Sequence, residues 1–347
     1  TVSDSNGCST TTQVVVTEPN TLLAEINVTS ISCYGDSALV IVSATGGTEP
    51  YTGTGSFKRT AEELSYTVTD ANGCVSSNTT NIPINTQPAT PVAPVANAQS
   101  FLVSDNATVA NLVIVSAGTP NWYSSASGGT AINSATSLTT GIYYASQTIN
   151  GCESSNRTAV NVSVFPNSIG GAISGSTTVC SGTNSTILTL SGYTGNIIKW
   201  QRSTIADFSA NVTDINNLNA TYTATNINTP TYFRAVVQSG TAPLEYSSPA
   251  FIDINSQSIG GTLSTSTSIC RGETSGLLTL SGFNGTIIRW EQSNNNGATW
   301  STISNTSNSY TSGPLTTTTQ FRAIVQNGIC NEVQSTIATI TVKATPV

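Results

Sequence analysis

Seven cysteines and no histidine at all set the limits on what this 347-residue chain can do chemically. Without histidine there is no Ser-His-Asp triad, no Cys-His nucleophile and no imidazole metal ligand. The carboxylates add little. Glu62 and Glu63 are adjacent, and neighbours on a strand point to opposite faces, so they cannot flank one bond as an acid-base pair must. With Lys58 and Arg59 close by, they read as a solvated loop. Asp4, Asp36 and Asp70 fall in or near turns, each nearly alone, whereas Ca²⁺ needs roughly six to eight clustered oxygens. Asx-turns are their expected use, with structural Ca²⁺ as the alternative. The expectation is therefore a chain that is not an enzyme and carries no cofactor, whose reactive chemistry is the pairing of cysteines.

The elements that must position those cysteines are strands. Charged residues make up 8% of the chain, against roughly 25% in an ordinary soluble protein, and Ser, Thr, Asn and Gly supply the polarity. Such a composition favours strands and turns over helices. A net charge of −7 argues against nucleic acid and anionic membrane surfaces, both of which need clustered Lys and Arg. No apolar run approaches the roughly 18 residues of a membrane-spanning helix, so no membrane insertion is expected.

Internal repeats organise the chain. TVSDSNGCSTTTQVVVTEP at 1–19 and LSYTVTDANGCVSSNTTNIPINTQP at 64–88 share Thr-Val-x-Asp-x-Asn-Gly-Cys followed by a Thr-rich strand. Asn6-Gly7 and Asn72-Gly73 are hairpin dipeptides, since they tolerate the positive φ of a tight turn. A stronger pair joins SIGGAISGSTTVCSGTNSTILTLSGYTGNIIKW at 168–200 to SIGGTLSTSTSICRGETSGLLTLSGFNGTIIRW at 258–290, and resumes with YFRAVVQSG at 232–240 and QFRAIVQNG at 320–328. We expect the last strands of a preceding repeat at 1–20, then modules at 21–87, 94–166, 167–256 and 257–347. A Pro-interrupted connector over 84–98, with a Pro-rich linker at 88–93, separates the first two full modules.

In the last two modules the order LTLSG, then IIKW or IIRW, then YFRAVV or QFRAIV matches strands B, C and F of an immunoglobulin-like sandwich, with Trp200 and Trp290 facing inward from strand C. Alternation places Phe321, Ala323 and Val325 on one face. Asn121-Trp122-Tyr123 marks a strand of the 94–166 module, and Trp300, past an Asn-rich turn, is expected at an edge. The fold class is all-β, tandem immunoglobulin-like sandwiches in an extended array. Within this plan Cys33 is expected to pair with Cys74 and Cys270 with Cys330. Cys8 should find its partner in the absent part of its module. Cys152 and Cys180 have no counterpart inside their modules, because Phe101-Leu102 and Thr241-Ala242 stand at the matching positions, so both are expected to be free. One difficulty stands against the two pairs. The A–B and F–G turns of a sandwich lie at opposite ends, beyond the roughly 7 Å a disulfide allows between Cα atoms.

Cys33-Tyr34-Gly35-Asp36-Ser37, SATGGTEPYT at 43–52 and YTVTDANGC at 66–74 resemble the SprB repeat of flavobacterial gliding-motility adhesins. NWYSSASGGTAI and YYASQTINGCESSNRTAVNVSV in the 94–166 module are similar to immunoglobulin-like domains of long secreted Bacteroidota proteins, and the last two modules resemble related domains. The resemblance implies export by the type IX secretion system and display on the outer surface. It also implies contact with the outer-membrane gliding machinery through other parts of the chain, and adhesion to a surface polysaccharide or other extracellular substratum. Asp36-Ser37-Ala38 resembles a Bacteroidota O-glycosylation acceptor at Ser37, against an ordinary turn leading into the next strand. The expected function is a structural and adhesive repeat segment of a large surface adhesin. The alternative is a set of spacer or carbohydrate-binding modules of a secreted polysaccharide-degrading enzyme, which an exposed row of aromatics would favour.

Overall fold

A computed structural model describes residues 1–60, 62–81 and 89–344. Of the expected connector, residues 84–88 lie outside the described residues. The described chain is built of strands, with 3-10 turns at Val103–Asp105 and Val109–Asn111. It divides into a unit of Thr1–Gln99 and Ala107–Ser163 and a unit of Ser100–Asn106 and Val164–Val347.

In the first unit the repeated Asp-x-Asn-Gly-Cys segments form the hairpin turns expected of them. One joins Val2–Ser3 to Ser9–Thr10 and the other joins Glu63–Thr69 to Val75–Asn81. Gly7 and Gly73 have φ of 85° and 80°, a region a side chain resists. A three-stranded antiparallel sheet of Leu23–Val28, Ala38–Thr45 and Gly55–Arg59 lies beside the second hairpin. The Ala24 amide donates to Ser76 Oγ at 3.1 Å, and Asn78 Nδ2 donates to the Ala24 carbonyl at 3.2 Å. Alternation in ALVIVSAT sends Ala38, Val40 and Val42 inward, where they meet Ile31 and Val68 with Phe57 and Tyr66 alongside. Farther along the chain, Gly141–Ile149 pairs with Thr119–Tyr123, Cys152–Glu153 and Thr158–Phe165. Trp122 is buried in this part, as a core residue should be.

The second unit holds two copies of one plan. In the first copy, Ala172–Ser174, Ser185–Ser191 and Thr221–Thr225 form a three-stranded sheet. The facing sheet runs Thr177–Cys180, Ala250–Asn255, Thr231–Gln238, Asn196–Ser203 and Thr213–Ile215. Thr177–Cys180 pairs in parallel with the final strand, and the other pairs are antiparallel. The second copy repeats this order, with Thr267–Cys270 parallel to Ala338–Lys343. Two packed sheets with strands C and F central in the larger one are an immunoglobulin-like sandwich.

A β-bulge explains how IIKW and IIRW fill the core. Strict alternation would put Ile197 and Trp200, three residues apart, on opposite faces. In both copies the register slips by one residue, between Ile197 and Lys199 and between Ile287 and Arg289. The extra residue turns Ile198 and Ile288 outward and lets Ile197, Trp200, Ile287 and Trp290 all point in. Both tryptophans are fully buried, and each indole N–H donates to a backbone carbonyl at 3.0 Å, Asn219 for Trp200 and Ser307 for Trp290. Each indole therefore contributes its large apolar area without an unsatisfied donor. Phe321, Ala323 and Val325 share the buried face predicted for them.

Candidate functional site

The chemically distinctive features are the cysteines, and their pairing differs from expectation. Cys33 bonds to Cys152 with Cα atoms 5.5 Å apart, and Cys180 bonds to Cys330 with Cα atoms 5.0 Å apart. Cys74 and Cys270 are free and exposed, as is Cys8. The expected pairs Cys33–Cys74 and Cys270–Cys330 are thus corrected, and so is the expectation that Cys152 and Cys180 are unpaired. The physical reason is the difficulty already met. An early cysteine and a turn cysteine of the same sandwich sit at opposite ends, whereas the early cysteine of one module faces the turn cysteine of the next.

Inside the second unit this junction is specified residue by residue. Cys180 ends the strand Thr177–Cys180 and lies in register with Asn255, which ends the last strand of its copy. Cys330 sits in the turn between Thr319–Gln326 and Val333–Gln334 of the following copy. Asn255 holds that turn: its Oδ1 accepts the Ile329 N–H at 3.1 Å, and a side chain on Gly328 would collide with it. Asn327 Nδ2 donates to the Ser256 carbonyl at 2.7 Å. The disulfides close loops with sequence separations of 119 and 150, for which chain entropy gives up to about 5 kcal/mol each.

The acidic turn residues are occupied by their own backbones. Asp4 Oδ1 accepts the Asn6 and Cys8 amides at 2.9 and 3.0 Å. Asp70 Oδ1 accepts those of Asn72 and Cys74 at 3.0 and 2.8 Å, and its Oδ2 accepts that of Thr48 at 2.9 Å. The Thr48 amide, joined by Cys74 and Asn72, outweighs desolvation and holds the Asp70 carboxyl below the ordinary carboxylate range. These are the Asx-turns the pattern suggested. Asp36 stands in an exposed turn beside Cys33, and its amide donates to the Cys33 carbonyl at 3.1 Å. Among the described residues no group of three or more acidic or cysteine side chains is gathered to hold a metal. Ser37 is exposed immediately before the strand Ala38–Thr45. Glu62 and Glu63 are both exposed, at the start of the strand Glu63–Thr69.

Three charged clusters went unnoticed in the sequence. In the 94–166 segment Glu153 accepts hydrogen bonds from Ser146 and from the Tyr123 hydroxyl, at 2.6 Å for the latter, while Arg157 lies over the Tyr123 ring. Burial alone would raise the Glu153 carboxyl, but Ser146, Tyr123 and Arg157 outweigh it and leave it below the ordinary range. In the last copy Glu291 takes Arg289 Nε at 2.8 Å and Arg322 Nε at 2.7 Å, Arg289 also reaches Glu332 at 2.8 Å, and Arg322 covers Trp300. Trp300 is half-buried under that guanidinium instead of standing open at an edge. The matching face of the preceding copy carries Lys199–Asp214 at 2.7 Å, with Arg234 bonded to Gln201 and lying between Phe208 and Tyr246. Pairs on alternate positions of neighbouring strands were the only sequence signal for these clusters, and register was needed to read it.

Two disulfides fit an oxidising, extracellular setting, and no helix of the described residues is long and apolar enough to cross a membrane. Among solved structures, three consecutive immunoglobulin domains of titin align with 73% of this chain and 97% of their own at 10% identity and TM-score 0.42. The N-terminal eight immunoglobulin domains of Down Syndrome Cell Adhesion Molecule align with 93% of this chain and 45% of theirs at 9% identity and TM-score 0.42. Extracellular domains 3–5 of Drosophila OTK align with 74% of this chain and 99% of theirs at 10% identity and TM-score 0.34. No curated protein matches the chain in sequence. Residues 91–166 match the family described as Ig-like domain, CHU_C associated. Residues 169–256 and 259–344, together half of the chain, match the family described as Domain of unknown function (DUF8696), and the chain belongs to that family.

Proposed function

We propose that this chain is a cross-linked spacer and display segment of a large exported surface adhesin of the SprB kind, which supports attachment and gliding. The observation that carries the reading is that each disulfide joins one β-module to the next one in the chain, Cys33 to Cys152 and Cys180 to Cys330. A bond of that kind adds nothing to a catalytic site and directly limits how far neighbouring modules can separate. Trp122, Trp200 and Trp290 are committed to cores and Trp300 to Arg322, which favours spacing and display over an aromatic platform for sugars. Type IX export, outer-surface display, attachment to the gliding machinery through other parts of the chain and a polysaccharide or other extracellular substratum belong to the same reading. They rest on the block beginning Cys33-Tyr34-Gly35-Asp36-Ser37.

In-frame deletion of 21–344 in the producing bacterium tests it. Surface-exposed parent protein should persist, while attachment and spreading fall. Unchanged attachment would remove the adhesive role, and tight, specific binding of one polysaccharide by the isolated chain would transfer it to the enzyme-accessory class. Ser37, exposed beside the Cys33 turn, is proposed as an O-glycan acceptor. Intact mass of native protein should show a hexose-containing adduct that Ser37→Ala removes.

A further inference from the structure

The cysteines fall into two kinds by position. Cys33, Cys180 and Cys270 lie early in their modules, whereas Cys8, Cys74 and Cys330 lie in turns late in theirs and Cys152 opens a strand directly after such a turn. Both disulfides join an early cysteine to the late cysteine of the following module. Under this rule Cys270, free and exposed, is an early cysteine facing forward from the last copy.

Its strand register duplicates that of bonded Cys180, while the loop after it differs: Glu273 accepts the Cys270 amide, whereas Asn184 donates to the Cys180 carbonyl. Cys180 is in parallel register with Asn255, the last residue of its final strand, and Cys270 is in the same register with Lys343, the last residue of its own. The turn that supplies the partner is also built alike in both copies. Gln326 Nε2 donates to the Cys330 carbonyl at 2.9 Å, and Gln238 Nε2 donates to the Ala242 carbonyl at the same distance. Ser258 Oγ accepts the Asn327 amide at 2.9 Å, as Ser168 Oγ accepts the Ser239 amide at 3.0 Å. The turn keeps its shape with either Cys or Ala at its tip, so it is a preformed element that a cysteine converts into a bond.

We propose that the end face around Cys270 and Lys343 is the forward docking surface for another copy of this repeat, which it captures as a disulfide through that copy's turn cysteine. The occupant is identified by continuity with the junction at Cys180 and Cys330, where the same face already holds such a copy. One difference is informative. Lys343 cannot offer the side-chain carbonyl with which Asn255 accepts Ile329 N–H, so the disulfide carries more of this junction. In the covalent step the two thiols lose two protons and two electrons to the disulfide of oxidised glutathione, giving one protein S–S bond and two reduced glutathiones. The inference needs only the tandem-module fold, and it stands or falls separately from the adhesin reading.

The test extends the full chain by a second copy of residues 256–344 placed directly after Lys343, refolded in a glutathione redox buffer and mapped by non-reducing peptide mass spectrometry. Cys270 should be found linked to the added copy's turn cysteine, and its alkylation should drop at least tenfold. Changing that added cysteine to Ala should return Cys270 to full alkylation. A parallel Lys343→Asn version separates a missing acceptor from a wrong face. Cys270 still alkylated while Cys180–Cys330 forms, pairing with Cys8 or Cys74, or pairing only in the Asn version would each overturn the proposal. Absence of Cys180–Cys330 itself would overturn it too, by removing the junction whose geometry it extends.

Discussion

The two copies in the second unit share one strand plan, one bulge and one buried tryptophan, yet they differ outside the core, on the outer face of the larger sheet and at the turn tip among other places. On the outer face of the larger sheet the first copy uses Lys199–Asp214 and an Arg234–Gln201 contact, whereas the second encloses Glu291 between Arg289 and Arg322. At the turn tip the first carries Ala242 and the second Cys330. The central core pairs Leu188 and Leu278, Ile197 and Ile287, Trp200 and Trp290, and Phe233 and Phe321 are kept because they fill a closed volume, where a lost methylene leaves a cavity. The outer face and the turn tip meet only solvent or a neighbour, so they are where copies can diverge without unfolding.

The comparison predicts first that Trp200→Ala and Trp290→Ala are equally damaging, each costing about 3–5 kcal/mol. Denaturant titration of the two variants checks this, and a gap above about 2 kcal/mol would show that the cores are not equivalent. Breaking Cys180–Cys330 by Cys330→Ser should cost about 2–4 kcal/mol, while Cys270→Ser leaves the melting curve unchanged. Equal effects of the two would mean that the junction contributes nothing.

Smaller effects probe the outer face. Glu291→Ala leaves two guanidiniums without their shared acceptor and should cost about 1–3 kcal/mol, against about 1 kcal/mol for Gln201→Ala, a neutral hydrogen-bonding partner. Acid should separate the copies in the same sense. Burial would raise the Glu291 carboxyl, but Arg289 and Arg322 outweigh it and hold it below the ordinary range. A carboxylate with a depressed folded value stabilises fully above its unfolded pKa of about 4.3, and that contribution fades as pH falls through the folded value. Gln201 does not titrate. Asp214, held low by Lys199 and then Gln201, is more than half exposed, and its contribution is screened. Hydrogen exchange between pH 6 and pH 3 should therefore show the second copy loosening first. Simultaneous loosening would assign the acid response elsewhere, Asp70 and Glu153 being further carboxyls held below the ordinary range by hydrogen bonds.

Much of this was legible in the residues. Asn-Gly at 6–7 and 72–73 announced hairpins because only a few residues accept positive φ. LTLSG, IIKW and YFRAVV announced strands B, C and F because alternation and aromatic placement follow from the pleat. The bulge was not legible. Ile197 and Trp200 break the period of two, and only pairing with Thr231–Gln238 shows how the extra residue is absorbed. Arg322 over Trp300 was hidden for the same reason, since it joins a strand residue to one in the loop just before Ser301–Ile303.

The cysteines mark the division most sharply. Their number and their early or late position in each repeat are properties of the chain as written, and so is the lack of histidine, which excludes an imidazole base or metal ligand. Who pairs with whom was decided by tertiary structure. Repeat alignment compares equivalent places within a module, and it led to pairs inside modules. A disulfide forms between places that are close in space, and in both bonds those places are the early cysteine of one module and the late cysteine of the next.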